Sequence, residues 1–201
     1  AFTNLDEAEL NPDKAFRVNY QGVKNLASVC ANFDIGLIHI STDAIFTSKQ
    51  PVFFKSSDIP NPINIYGISK QLGEQSIINK SGKYWILRSS WIYGQKGSRF
   101  FDSILNQIKF SQDIFVVNDQ FGQPTSTSMI FKALLSILSN KTPEGIHHVV
   151  PTEFISRYDF AVKIKQAYEL VLEEASNSRI FSELTTMSSH LAPRAKYSLL
   201  E

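Results

Sequence analysis

The sequence has 201 residues, a formal net charge of +1, 43% hydrophobic and 12% aromatic residues. That length and apolar share fit one packed domain, or a domain with a small subdomain. The near-neutral balance, without a run of one sign, excludes nucleic acid or an anionic membrane surface as the main partner.

No apolar stretch is long enough to read as a membrane span. The one cysteine, Cys30, leaves no internal disulfide and points to a reducing compartment. It falls in an apolar helical stretch, where a thiol packs as a small hydrophobe.

In chain order the pattern alternates helix and strand. Asn11-Pro12 reads as a cap and first helical residue. A helix is predicted from there to about Asn32, with Phe16, Tyr20, Val23 and Leu26-Ala27 as its apolar stripe. Ile35–Ile40 is a short apolar run of the buried parallel kind. After a loop rich in Ser, Pro and Asn, a helix begins past Pro62, and Tyr84–Arg88 is the next strand. Residues 99–110 read as helix, 114–117 as strand, 126–139 as helix and 146–150 as strand. Ser156 can cap a last helix starting near Tyr158. Strands separated by such helices predict βαβ units around a parallel sheet.

Active-site loops of such sheets lie beyond the carboxyl ends of the strands. Ser41-Thr42-Asp43 follows one strand and Arg88–Gly94 follows the next. Tyr66 and Lys70 are spaced i, i+4, so a helix puts them on one face. A phenol with an unperturbed pKa near ~10 is lowered by a nearby cation, which would let Tyr66 exchange a proton near neutral pH. Thr42 could hold the reacting oxygen. This is the chemistry of hydride addition to a carbonyl. A Tyr-x-x-x-Lys spacing alone also occurs on ordinary exposed helices, so the weight lies in the combination.

Four segments carry a resemblance: Ile38–Asp43, Asn61–Lys70, Leu87–Gly94 and Asn118–Thr125, in that order. Together they closely resemble dTDP-4-dehydrorhamnose reductase, a family of extended short-chain dehydrogenases/reductases, and the likeness runs over nearly the whole chain. It implies an α/β fold with a Rossmann-like parallel sheet and a small C-terminal substrate-binding subdomain. Residues 1–120 would belong mainly to the dinucleotide-binding part and 121–201 mainly to the substrate part, with an interleaved boundary.

The resemblance implies catalytic roles for Tyr66 as general acid, Lys70 as ribose and phenol partner, and Thr42 as carbonyl hydrogen-bond donor. It places Thr42, Asp43 and Trp91 on the sugar, and Ala1, Phe2, Thr3, Tyr66 and Lys70 on the cofactor. Core packing is the competing role for Trp91, and a turn position for Asp43. The implied reaction is NADPH- or NADH-dependent reduction of a dTDP-linked 4-dehydro sugar in the cytoplasm. Some relatives use Mg²⁺, for which no ligand set can be named here, and a homodimer is left open. The adjacent His147 and His148 would face opposite sides of a strand, His39 reads as a satisfied core residue, and His190 stands alone.

The family's opening strand, Gly-rich turn and helix, which hold the pyrophosphate, have no counterpart. The sequence is therefore expected to lack those elements, as a fragment or truncated reading frame, and to bind dinucleotide and turn over poorly by itself. Two smaller departures are Arg157, where an aromatic is usual before Tyr158, and Ala195, where Pro is usual.

Ala44 after Asp43 speaks against a dehydratase, which needs an acidic residue there, and Asp43 speaks against a 4-epimerase. A non-catalytic regulatory subunit, of the kind that attends methionine adenosyltransferase, would not need the Thr42, Tyr66, Lys70 and Trp91 set.

Overall fold

The computed structural model describes residues 1–80, 82–94, 99–172, 176–183 and 192–201. Its elements are α1 (Leu5–Leu10), α2 (Pro12–Phe16), a π-helical turn (Arg17–Gln21), α3 (Gly22–Asn32), β1 (Leu37–Thr42), β2 (Phe53–Phe54), α4 (Ile65–Ile78), β3 (Tyr84–Ser89) and β4 (Ile92–Tyr93). There follow α5 (Arg99–Lys109), β5 (Ile114–Val117), β6 (Phe121–Gly122), β7 (Thr125–Ser126), α6 (Thr127–Leu138), β8 (Gly145–His148), β9 (Ile155–Ser156), α7 (Arg157–Leu172), β10 (Ile180–Glu183) and β11 (Leu199–Leu200).

The centre is a parallel sheet ordered β1-β3-β8. Alternate residues of a strand face opposite sides, and β3 uses both. Ile86 packs with Ala27, Cys30, Leu37 and Ile77 beneath α3 and α4. Leu87 packs with Ile137 of α6 and with Val149 on the other face. A strand covered on both faces has to read as continuously apolar, which is why Tyr84–Leu87 does.

A second core joins Ile104 and Ile108 of α5, Ile114 and Val116 of β5, and Phe160, Ala161 and Ile164 of α7. β10 pairs with β5 beside it. α6 and β8, after residue 120, pack in the central layers, while α5 and β5, before it, pack in the second core.

The helix expected over 12–32 is interrupted by the π-helical turn. The wider turn carries Asn19 inward, where it accepts from the Phe2 amide at 2.8 Å and donates to the Phe2 carbonyl at 2.9 Å and to Ser69 Oγ at 3.1 Å. Downstream of the shift the buried residues are Ala27 and Cys30, while Leu26 of the expected stripe is half exposed.

Asn64 caps α4, accepting from the Gly67 amide at 2.8 Å. Its amide group also donates to the Pro193 carbonyl at 3.0 Å, tying the C-terminal segment to the helix start. At the start of α7, Ser156 Oγ accepts from the Asp159 amide at 3.0 Å and donates to the Asp159 carboxylate at 2.6 Å. Cys30 is buried and free.

Candidate active site

Thr42 ends β1 and Tyr66 opens α4, and a glycine brings them together. A side chain at Gly67 would collide with the Ala44 carbonyl, so only glycine lets the first turn of α4 press against the turn after β1. Thr42 and Tyr66 then line a cavity of about 420 Å³ with Thr3, Asp43, Trp91, Arg157 and Arg194. A neighbouring space of about 390 Å³ shares Thr3, Thr42, Tyr66, Trp91 and Arg157 and adds Ser41 and Ser89. The predicted Thr42, Asp43, Tyr66 and Trp91 therefore converge.

Of the amino-terminal residues, Thr3 lines both spaces, Phe2 is held by Asn19, and Ala1 is exposed and lines neither.

Lys70 is buried one turn along α4, but its amine does not reach for the phenol. It donates to the Ile40 carbonyl at 2.7 Å and lies 3.2 Å from His39 Nε2. Burial lowers the Lys70 amine to about 8, with Glu74 acting the other way. His39 is lowered to about 3, first by burial and then by the charge of Lys70. It is neutral at pH 7 and able to accept from the amine.

The Tyr66 phenol is pushed up to about 12. Burial is the main cause and the Asp43 charge adds to it, while a hydrogen bond with Thr42 pulls the other way. The lowering anticipated from the i, i+4 spacing is absent because burial dominates and the Lys70 amine is bonded to β1. A protonated phenol at the cavity wall is a group ready to donate.

Asp43 is buried and fully engaged. Its Oδ2 accepts from Ser90 Oγ at 2.7 Å and Ser198 Oγ at 2.8 Å, and its Oδ1 from Thr42 Oγ1 at 3.1 Å. Burial raises its pKa and the three hydroxyls oppose that. The carboxylate links β1, β3 and the C-terminal segment, so it orients the Thr42 hydroxyl.

Trp91 adopts a left-handed backbone with φ of 43°, a conformation rare for a bulky residue and commonest where function demands it. One side of its ring is close-packed against Gly122. It also stacks with Phe160, centroids 6.4 Å apart.

Several participants escaped the sequence reading. Arg157, noticed only as a departure, places its guanidinium 3.6 Å from the Trp91 ring centroid. Arg194 pairs with Asp6 at 2.9 and 3.0 Å. Gln123, wholly buried, donates to the carbonyls of Pro151 and Leu200 and accepts from the Leu200 amide at 2.7 Å. The loop after Asn118 contributes Gln120 and Phe121 to the cavity.

His39, read as a satisfied core residue, is largely buried and finds its partner in Lys70. His147 bonds the Pro143 carbonyl at 2.8 Å, and His148 Nε2 is buried without a partner among the described residues. His190 lies outside the described residues. No group of three or more His, Cys, Asp or Glu among the described residues is placed to hold a metal ion, which leaves the anticipated Mg²⁺ without support. No helix among them is long and apolar enough to cross a membrane.

The defining pattern of the RmlD substrate binding domain matches residues 1–201. The chain belongs to that family. It is 34% identical over 200 residues to the spore coat polysaccharide biosynthesis protein SpsK of Bacillus subtilis, covering 100% of this chain and 68% of that one. It is 35% identical over 202 residues to the dTDP-4-dehydrorhamnose reductase of Mycolicibacterium smegmatis, covering 100% of this chain and 60% of the relative. Among solved structures, the dTDP-4-dehydrorhamnose reductase of Bacillus anthracis in complex with NADP superposes with a TM-score of 0.88 at 33% identity, over 100% of this chain and 69% of that one. The RmlD-family chain thus spans roughly three-fifths to two-thirds of the curated relatives' length, and its parallel layers are the Rossmann-like fold of those reductases.

Proposed function

We propose that this RmlD-family chain carries the catalytic wall and sugar site of an NADPH- or NADH-dependent reductase. The substrate is dTDP-4-dehydro-6-deoxy-L-mannose and the product dTDP-L-rhamnose. The observation that carries the reading is the convergence of the Thr42 hydroxyl, the protonated Tyr66 phenol and Trp91 on one cavity.

A nicotinamide, when bound, supplies the hydride that no side chain can supply. The residues present fit such a group. Ser41 Oγ is buried and unpartnered among the described residues, and it lines the space that Thr3, Thr42 and Tyr66 also line. A carboxamide is the kind of polar group that would satisfy it. The Lys70 amine is bonded to the Ile40 carbonyl, next in sequence to Ser41, and would exchange its β1 partners for a ribose hydroxyl. NADP is bound in the Bacillus anthracis relative, which supports the phosphorylated cofactor.

In the reduction, charge develops on the carbonyl oxygen as carbon becomes tetrahedral, and donors already aimed at that oxygen lower the barrier. The one Thr42 proton rests on Asp43 Oδ1 in the structure, and Thr42 would turn it from that carboxylate to the developing charge to supply one hydrogen bond. Tyr66 supplies the proton and is left as phenolate. The Lys70 ammonium, on leaving its β1 partners, would stabilise that phenolate until solvent returns a proton to it. Trp91 offers an apolar face to the sugar ring.

The test is the decay of nicotinamide absorbance with dTDP-4-dehydrorhamnose, in the wild-type protein and in Tyr66→Phe. Decay that falls on the order of a hundredfold or more in the variant is the expected result. Equal rates in both, or bound cofactor with no decay in either, would overturn the reading.

A further inference from the structure

Arg157 is the first residue of α7, and its guanidinium reaches back over the cavity. It lies 3.6 Å from the Trp91 ring centroid and 4.8 Å from that of Phe100. Stacking of a planar guanidinium on aromatic faces leaves its in-plane N–H groups free to bond elsewhere. Here they bond nothing, because among the described residues no side-chain hydrogen bond or ion pair involves Arg157.

The contrast with the other arginine of the cavity is direct. Arg194 is matched by the Asp6 carboxylate and the Ala192 carbonyl. Asp43 is the carboxylate whose field Arg157 feels most, yet the Asp43 oxygens are already taken by Thr42, Ser90 and Ser198. Burial lowers the guanidinium only to about 10, so it is charged at pH 7. A largely desolvated cation with unused donors facing a cavity is costly by itself. It becomes favourable when an anion with paired oxygens enters, since guanidinium and phosphate match in a bidentate way.

We infer that Arg157 is a specificity-determining substrate contact, whose free guanidinium edge receives the diphosphate oxygens of the nucleotide-linked sugar while its face stays on Trp91. The role rests on the proposed sugar-nucleotide reading. It couples the two ends of the substrate, because the residue that holds the charge also fixes the ring on which the sugar packs. It belongs to this chain in particular, since the resemblance leads one to expect an aromatic at that position, and an aromatic would keep the stack without the charge.

The experiment is calorimetric titration of the wild type, Arg157→Gln, Arg157→Lys and Arg157→Phe with dTDP, UDP, inorganic pyrophosphate and uncharged thymidine. Circular dichroism and the melting temperature serve to establish that each variant is folded. Arg157→Gln and Arg157→Phe should each lose about tenfold or more in affinity for dTDP and pyrophosphate and nothing for thymidine. Arg157→Lys should fall between, because a point charge cannot make the paired contact. The dTDP affinity of the wild type should weaken with added salt more steeply than that of Arg157→Gln.

Unchanged dTDP and pyrophosphate affinity in folded Arg157→Gln would overturn the inference. So would full affinity in Arg157→Phe, which would make the stack alone responsible, and so would a wild type that binds neither anion. Pyrophosphate binding that depends on Arg157 while UDP binds as tightly as dTDP would instead sink the thymidine part of the proposed function and leave Arg157 in its role.

Discussion

Lys70 and His39 stand with Nζ and Nε2 3.2 Å apart, so the amine that the helix spacing aims at a phenol rests against the edge of β1. His39 is neutral at pH 7 and its free nitrogen stabilises the ammonium, while burial works against it. The Lys70 amine should titrate near pH 8 in the isolated protein, observable by NMR of the side chain. His39→Leu removes an acceptor and should lower that value further, and His39→Gln, which keeps an acceptor, should restore much of it. A Lys70 that titrates near its ordinary value, or that ignores both substitutions, would deny the contact any influence.

Much of this site is legible in the sequence because local rules decide it. Ser156 is a cap that works through Asp159, three positions on. Tyr66 and Lys70 share a helix face by spacing, and Ile114–Val117 forms a strand where its apolar pattern puts one. What was not legible depends on distant partners. The inward turn of Asn19 needs a π-helical irregularity that no periodicity announces. Asp43 acquires Ser90 and Ser198 from separations of 47 and 155 residues. The Tyr66 phenol rises instead of falling because burial and Asp43 outweigh any help from Lys70, a balance that spacing does not contain.

Acid should unfold the protein through its buried histidines. His39 and His148 are lowered in the folded state to about 3 and about 4, from an ordinary value of 6.5. Between those values and 6.5 the unfolded chain binds more protons, so stability rises with pH across that window and is lost on acidification. For His148, burial is the first cause and the nearby Arg88 charge the second. Melting temperatures from pH 7 to 4 should fall, and His148→Gln should flatten the slope. A variant with the same slope as the wild type would exclude His148 as a contributor.

Arg88 and Glu74 form a two-pronged pair, with Arg88 donating from Nε at 3.2 Å and from a terminal nitrogen at 2.8 Å. Both side chains are only 2–3% exposed. Arg88 also donates to the Ser56 carbonyl at 3.2 Å and covers the Phe46 ring. Removing one partner strands a buried charge, so Glu74→Ala should cost about 3–5 kcal/mol in urea unfolding. Replacing both, as Glu74→Leu with Arg88→Met, should recover most of that loss. If the double change is as damaging as the sum of the single ones, the penalty does not come from a stranded charge.

Trp91 and Gly122 supply the sharpest test of how the cavity wall is held. A Cβ at Gly122 would run into the indole, and the Trp91 backbone is already left-handed at φ 43°. The ring is also confined by the Arg157 guanidinium and by Phe160, so it has little room to retreat. Gly122→Ala should therefore destabilise the fold by about 1–3 kcal/mol through overpacking and shift the tryptophan fluorescence. A smaller ring should tolerate the added methyl, so the same glycine change made in Trp91→Phe should cost less than half as much. Contacting residues are expected to be coupled in this way. Strict additivity in a double-mutant cycle would mean that the glycine serves its own backbone and not the placement of the indole.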